Sequence, residues 1–130
     1  MGNQKGRVII PAEANVWPHE YRCAKTLTDA GHTVEFLIAS SGSRVKSADI
    51  QMDGVVWEIK CLETDKLATV EKKVRKALHQ SRNAIIDSRR MKGLKTSDVE
   101  RKLRTLADEL KSLKRLILIS KDGTVIDIKR

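Results

Sequence analysis

Two acids and a lysine stand close together in this 130-residue chain: Asp49, and then Glu58-Ile59-Lys60. Residues two apart on an extended strand share a face, so Glu58 and Lys60 point the same way if the segment is a strand. Like charges set against each other are destabilising unless a cation lies between them or one carboxyl is protonated. Asp49 and Glu58 therefore call for a metal, and hard divalent ions such as Mg²⁺ take carboxylate oxygens. A metal beside an ammonium suits phosphodiester hydrolysis: the metal polarises a phosphoryl oxygen and activates water, while Lys60 offsets the charge that develops in the transition state. Asp49, Glu58 and Lys60 are accordingly the catalytic candidates, with Asp49 and Glu58 as the metal ligands. The plainer alternative is a Glu58–Lys60 surface ion pair on a solvated hairpin, which stabilises little.

The segment from Ser47 to Cys61 has to hold these groups in register. Asp53-Gly54 is the strongest two-residue hairpin signal. As the loop it sets Met52 opposite Val55, Ile50 opposite Trp57 and Ala48 opposite Ile59, all apolar and on one face. The other face then carries Asp49, Gln51, Val56, Glu58 and Lys60, with Asp49 directly opposite Glu58. Upstream, Pro18 suits the first turn of a helix and Gly31 the position just past its end, which predicts a helix from about Pro18 to Ala30. Glu20 precedes Cys23, Ala24 and Leu27 by three, four and seven residues and so falls on the inward stripe. That face favours a role at the site, holding water or Lys60, over a favourable charge at a helix N-terminus.

Composition narrows the class of function. The chain is 40% hydrophobic and 33% charged, with 26 Lys and Arg against 17 Asp and Glu for a net charge of +9. One soluble domain over residues 1–130 is expected, with no membrane span and a polyanion as partner. Aromatics make up only 3%, which argues against reading single strands by base stacking. Cys23 and Cys61 match no zinc spacing and make no disulfide scaffold, so a reducing compartment is expected. Met1 to Gly6 carries neither a hydrophobic signal core nor a myristoylation motif.

The remaining elements complete an α/β pattern. Val8–Ile10 reads as an edge strand ended by Pro11, Thr33–Ala39 as a strand, and Ser40–Lys46 as a polar loop. Leu67 to about Asn83 reads as an amphipathic helix bearing Lys72, Lys73, Lys76, His79 and Arg82, candidate phosphate contacts whose alternative is a solvated face. Ala84–Asp87 is a buried strand with Asp87 a structural acid, Arg89–Lys95 a basic loop, and Ser97 the cap of a helix carrying Val99, Leu103, Leu106, Leu110 and Leu113. Leu116–Ser120 and Thr124–Ile128 form a second hairpin around Asp122-Gly123. The expected fold is a mixed central sheet flanked by helices, and a monomer.

Asp49 followed by Glu58-Ile59-Lys60 resembles the PD-(D/E)xK phosphodiesterase superfamily, whose pattern is an acid opening one strand and acid-x-Lys on the next. The order helix, strand, hairpin, helix, strand over Pro18–Asp87 is similar to that superfamily's αβββαβ core, although Ala48 stands where it has a proline. The resemblance implies a further acid from the first helix, here Glu20. His-Glu before the first helix, Ser-Ala-Asp-Ile-Gln-Met-Asp-Gly-Val-Val-Trp-Glu-Ile-Lys and Gln80-Ser-Arg-Asn83 resemble more narrowly the C-terminal toxin domain of CdiA-type contact-dependent inhibition proteins. This likeness adds Gln80 as a polar residue near the site. It implies a bacterial toxin nuclease that acts on tRNA in the cytoplasm of a target bacterium, delivered as the C-terminal part of a secreted protein and blocked by a cognate immunity protein. DNA cleavage on the same scaffold, a metal-free ribonuclease with His19 or His79 as general base, and a basic binding module without chemistry are the alternatives.

Overall fold

The computed structural model describes residues 6–38 and 49–130. The Ser40–Lys46 loop, Ala48 and Met1–Lys5 lie outside them. Ten elements follow in order: β1 (Val8–Ile9), α1 (Pro18–Asp29), β2 (Val34–Phe36), β3 (Ile50–Met52), β4 (Val55–Cys61), α2 (Leu67–Ala77), β5 (Asn83–Asp87), α3 (Thr96–Glu109), β6 (Arg115–Ile119) and β7 (Val125–Lys129). The strands make a seven-stranded sheet in sequence order. Pairs β1–β2, β4–β5 and β5–β6 are parallel, whereas β2–β3, β3–β4 and β6–β7 are antiparallel. From Pro18 to Asp87 the order is helix, three strands, helix, strand, as the sequence pattern implied.

Alternation along the strands sorts the core into two layers. On one face, Cys23, Ala24 and Leu27 of α1 pack with Val34, Phe36, Ile50, Met52, Trp57, Ile59, Ile85, Ile117 and Ile119. On the other, Val70, Val74 and Ala77 of α2 and Val99, Leu103 and Leu106 of α3 pack with Ala84, Ile86, Leu116 and Leu118. The second layer stops at β4. Glu35, Gln51 and Val56, which share that face on β2, β3 and β4, are exposed. A sheet buried on both faces thus becomes, within the width of one strand, a sheet covered on one face only.

The turn between β3 and β4 forms as its sequence requires. Asp53 at φ 55° and Gly54 at φ 78° both occupy the left-handed region of a two-residue hairpin loop, and Ile50 pairs with Trp57, Gln51 with Val56 and Met52 with Val55. Three local expectations are corrected. The basic helix ends at Ala77 and not near Asn83, so His79, Gln80 and Arg82 belong to the connection into β5. The hydroxyl of Ser81 and the amide of Asn83 donate to the Val56 carbonyl at 2.9 and 3.0 Å, which pins that connection to β4 and draws the chain out of the helix. The cap of α3 is Lys95, two residues before Ser97, and it contributes no side-chain bond; Leu110 and Leu113 lie past the helix end.

Candidate active site

Asp49 lies one residue before β3, where the hairpin's regular pairing has stopped. It is not a ladder partner of Glu58, contrary to the simple register. Its N–H donates to the Trp57 carbonyl at 3.1 Å, and its Oδ2 accepts from the Ile59 N–H at 2.9 Å. A side-chain oxygen has replaced a backbone carbonyl in the pairing, and this fixes the carboxyl across β4 between Trp57 and Ile59. The Glu58 carboxyl still lies near enough for the charge of Asp49 to raise it. The two acids are neighbours as expected, through a different backbone arrangement.

Glu58 and Lys60 extend from β4 on the face that α2 and α3 cover, at the margin of that cover. Glu58 is 3% exposed. Lys60 Nζ lies 3.1 Å from Glu58 Oε2, while Glu58 Oε1 is buried with no hydrogen-bond partner among the described residues. Burial first, and then the charge of Asp49, push the Glu58 carboxyl up to about 7 against the opposing pull of Lys60. One lysine does not satisfy two carboxylates, and a buried anion with an empty lone pair needs a further positive group. The oxygen donors on hand suit a hard cation that binds through one or two carboxylates and retains several waters. Among the described residues no group of three or more His, Cys, Asp and Glu side chains is placed to enclose a metal.

Glu20 is carried by α1, on the opposite layer. Its Oε1 accepts from the Trp17 N–H at 3.1 Å, the bond of a helix-start cap, so the capping role is realised. Its carboxyl is also raised, by burial first and then by Asp49, so the charge of that site acid reaches it. The structure therefore brings Glu20 toward Asp49 while β4 separates its layer from the Glu58–Lys60 pair. Lys72, Lys76, His79 and Arg82 are exposed, and Lys73 is half-buried in a cleft of about 290 Å³ with Cys61, Leu62, Glu63, Thr64 and Thr69 at the end of β4. Gln80 is half-buried, and its side-chain oxygen has no hydrogen-bond partner among the described residues.

Other reactive groups are held out of the chemistry. The Cys61 thiol is pushed up to about 12 by burial and by Asp87, and Cys23 is raised well above its ordinary value, so both stay neutral at physiological pH. Asp87, 4% exposed, is held by Arg89 through contacts of 2.7 to 3.3 Å, and Arg89 reaches on to Thr26 of α1 at 2.7 Å. His19 lies on α1 and His79 in the connection between α2 and β5.

Sequence reasoning passed over Trp17 and Tyr21. They are 58% and 43% exposed and flank Glu20 in the first turn of α1, whereas Trp57 and Phe36 are buried. Composition counts rings; it does not say where they stand. The signal available was their position on either side of a candidate acid.

With this geometry in place, the comparisons with known proteins define the family. The model of the contact-dependent growth inhibition CdiA C-terminal domain matches residues 46–125, a span that contains Asp49, Glu58 and Lys60. The chain belongs to that family. It is also similar in structure to the protein of a "CdiA-CT/CdiI toxin and immunity complex from Burkholderia pseudomallei", with 18% sequence identity and a TM-score of 0.71 over 96% of this chain and 100% of that one. At that identity the likeness speaks for the fold. No curated protein matches.

Proposed function

We propose that this chain is a toxin nuclease of the PD-(D/E)xK type, which hydrolyses phosphodiester bonds of tRNA with a divalent cation held by Asp49 and Glu58. The observation that carries this reading is the Glu58 carboxyl, 3% exposed, with Oε2 on Lys60, Oε1 bare and Asp49 beside it. A structural ion pair leaves no such vacancy of charge; a site that accepts Mg²⁺ does. When bound, the cation supplies the charge that polarises a phosphoryl oxygen and acidifies water. Asp49 is pre-set for its share by the Ile59 N–H, which fixes one of its oxygens across β4. Lys60 places its ammonium beside the phosphate and offsets the charge that grows on the leaving group. Glu20, anchored by the Trp17 N–H, orients water on the Asp49 side. Family membership and the toxin–immunity complex formed by the structural relative support a toxic activity and a cognate immunity protein that covers this site.

The test is to incubate the purified chain with total tRNA and with plasmid DNA, each with Mg²⁺ or EDTA, beside the Lys60→Ala variant. Cleavage of tRNA that needs Mg²⁺, and that a folded, nucleic-acid-binding Lys60→Ala protein has lost, is the expected result. Full cleavage by that variant refutes the role of Lys60. Cleavage in EDTA moves the chemistry to His19 or His79, cutting of plasmid alone makes the substrate DNA, and no cleavage by the wild type under any condition leaves a binding module.

A further inference from the structure

The chain has only two Trp, one Tyr and one Phe, and the fold buries Phe36 and Trp57. The remaining two aromatics are 58% and 43% exposed and stand together at the start of α1, where the Tyr21 N–H donates to the Trp17 carbonyl at 3.0 Å. Exposed aromatic rings carry a cost in water, and the helix start that bears these two lies against the end of β4, where the His19 carbonyl accepts from the Cys61 thiol at 3.9 Å, one residue past Lys60. Trp17 is tied to Glu20 through its own backbone, at 3.1 Å from Oε1. Its ring lies nearly parallel to the His19 ring, with 16° between the planes and centroids 6.4 Å apart, and it forms no side-chain hydrogen bond at the helix start. The indole is therefore held by its backbone and presented to solvent. Its neighbourhood is basic: Arg22 and Lys25 are exposed on the same helix, in a chain of net charge +9.

We propose that Trp17 and Tyr21 form a stacking platform on the α1 side of the end of β4, which seats an unpaired nucleobase of the strand whose phosphate reaches Asp49, Glu58 and Lys60. This rests on the nuclease reading and adds that the nucleotide flanking the scissile bond is unstacked. Every base has a π-face, so an exposed ring at the end of β4 grips a base whatever its identity, and it grips one only after that base has left a helix. Duplex nucleic acid offers phosphates alone to such a surface. A loop, a bulge or a single-stranded end offers phosphate and base together, which selects RNA with unpaired nucleotides over continuous duplex. The small number of aromatics does not oppose this, because one or two rings at one position suffice where the backbone is already held by charge.

The experiment measures binding in EDTA, where no cleavage is needed, by fluorescence anisotropy of a labelled RNA hairpin with an unpaired loop and of a fully paired RNA duplex of equal length. The variants are Trp17→Ala, Trp17→Phe and Tyr21→Ala, each checked by circular dichroism. Trp17→Ala is expected to raise the Kd for the hairpin roughly 5- to 30-fold, the size of one base stack on a ring, and to leave the duplex Kd unchanged. Trp17→Phe restores most of the hairpin affinity, and Tyr21→Ala acts in the same direction as Trp17→Ala. Intrinsic fluorescence gives a second readout, since Trp57 is buried: the hairpin quenches the exposed indole of the wild type and the duplex does not. Equal weakening of hairpin and duplex, or an unchanged Kd for both, overturns the platform, and the latter assigns the rings to a protein surface. Either result can coincide with intact Mg²⁺-dependent cleavage, in which case only the platform falls; selective hairpin binding by a chain that never cleaves leaves the platform standing and removes the nuclease reading.

Discussion

A carboxyl buried to 3% exposure, with one oxygen on an ammonium and the other without a partner among the described residues, is costly to ionise, and Glu58 bears that cost beside a second acid. Its folded-state pKa is raised to about 7, by burial and then by Asp49, from an ordinary value of 4.5. The native state therefore holds a proton that the unfolded chain has lost between those two values. With metal chelated, the stabilising contribution of the Glu58 proton is complete below pH 4.5 and disappears as the pH rises through 7, a change on the order of 3 kcal/mol for a shift of this size. Glu58→Gln removes the charge and keeps the shape. The variant is expected to match the wild type at pH 4.5 in EDTA and to exceed it by about 1 to 3 kcal/mol at pH 8, as read by urea unfolding. A variant that is equally destabilised at both pH values shows that the carboxyl is not under charge stress. Asp122, lowered to about 2 by the Ser120 and Thr124 hydroxyls and the Thr124 N–H, titrates in the opposite sense, which is why the comparison is between variant and wild type and not along one curve.

At the scale of elements, what the sequence makes legible is what neighbouring residues decide between themselves. Asp53-Gly54 needs only its own two backbone conformations, and from them the register of β3 on β4 and the shared face of Glu58 and Lys60 follow. The departure at Asp49 was hidden because it depends on a side-chain oxygen outcompeting a backbone carbonyl for the Ile59 N–H, a choice made only once β4 is in place. The end of α2 was hidden for a similar reason. Leu78 continues the apolar spacing, and the bonds from Ser81 and Asn83 that end the helix run to Val56, more than 20 residues away. Arg89 was read simply as part of a basic loop, yet it joins the end of β5 to α1 through Asp87 and Thr26. Replacing one partner of a buried charge pair leaves the other uncompensated, so Arg89→Met is expected to destabilise by about 3 kcal/mol or more, whereas adding Asp87→Asn recovers part of that loss. Thermal unfolding of the single and double variants decides it; a double variant less stable than Arg89→Met would show that Asp87 has other work than pairing with Arg89.

Over the whole molecule, two features converge on one margin. The cover of α2 and α3 ends at β4, which leaves Glu58 and Lys60 at the edge of a buried layer, and exposed lysines of α2 stand on the helix that forms this edge. A net charge of +9 attracts any polyanion, but only charges that lie along the path of the bound backbone release counterions at each phosphate. Total charge and placed charge are separable by experiment. Lys72, Lys73 and Lys76 reversed together to Glu should weaken binding of an RNA hairpin in EDTA by roughly 10-fold or more at low salt, and should reduce the slope of log Kd against log salt by about 2 to 3, near one phosphate contact for each lysine. Arg101, Lys111 and Lys121 are exposed elsewhere, and reversing them changes the net charge by the same amount. If α2 tracks the phosphates, this second set lowers affinity only slightly and leaves the slope close to that of the wild type, because a diffuse field is screened within about 10 Å at 0.1 M salt. Equal effects from the two sets would mean that the RNA is drawn by overall charge, and would take the α2 lysines out of the binding path while leaving Asp49, Glu58 and Lys60 as they stand.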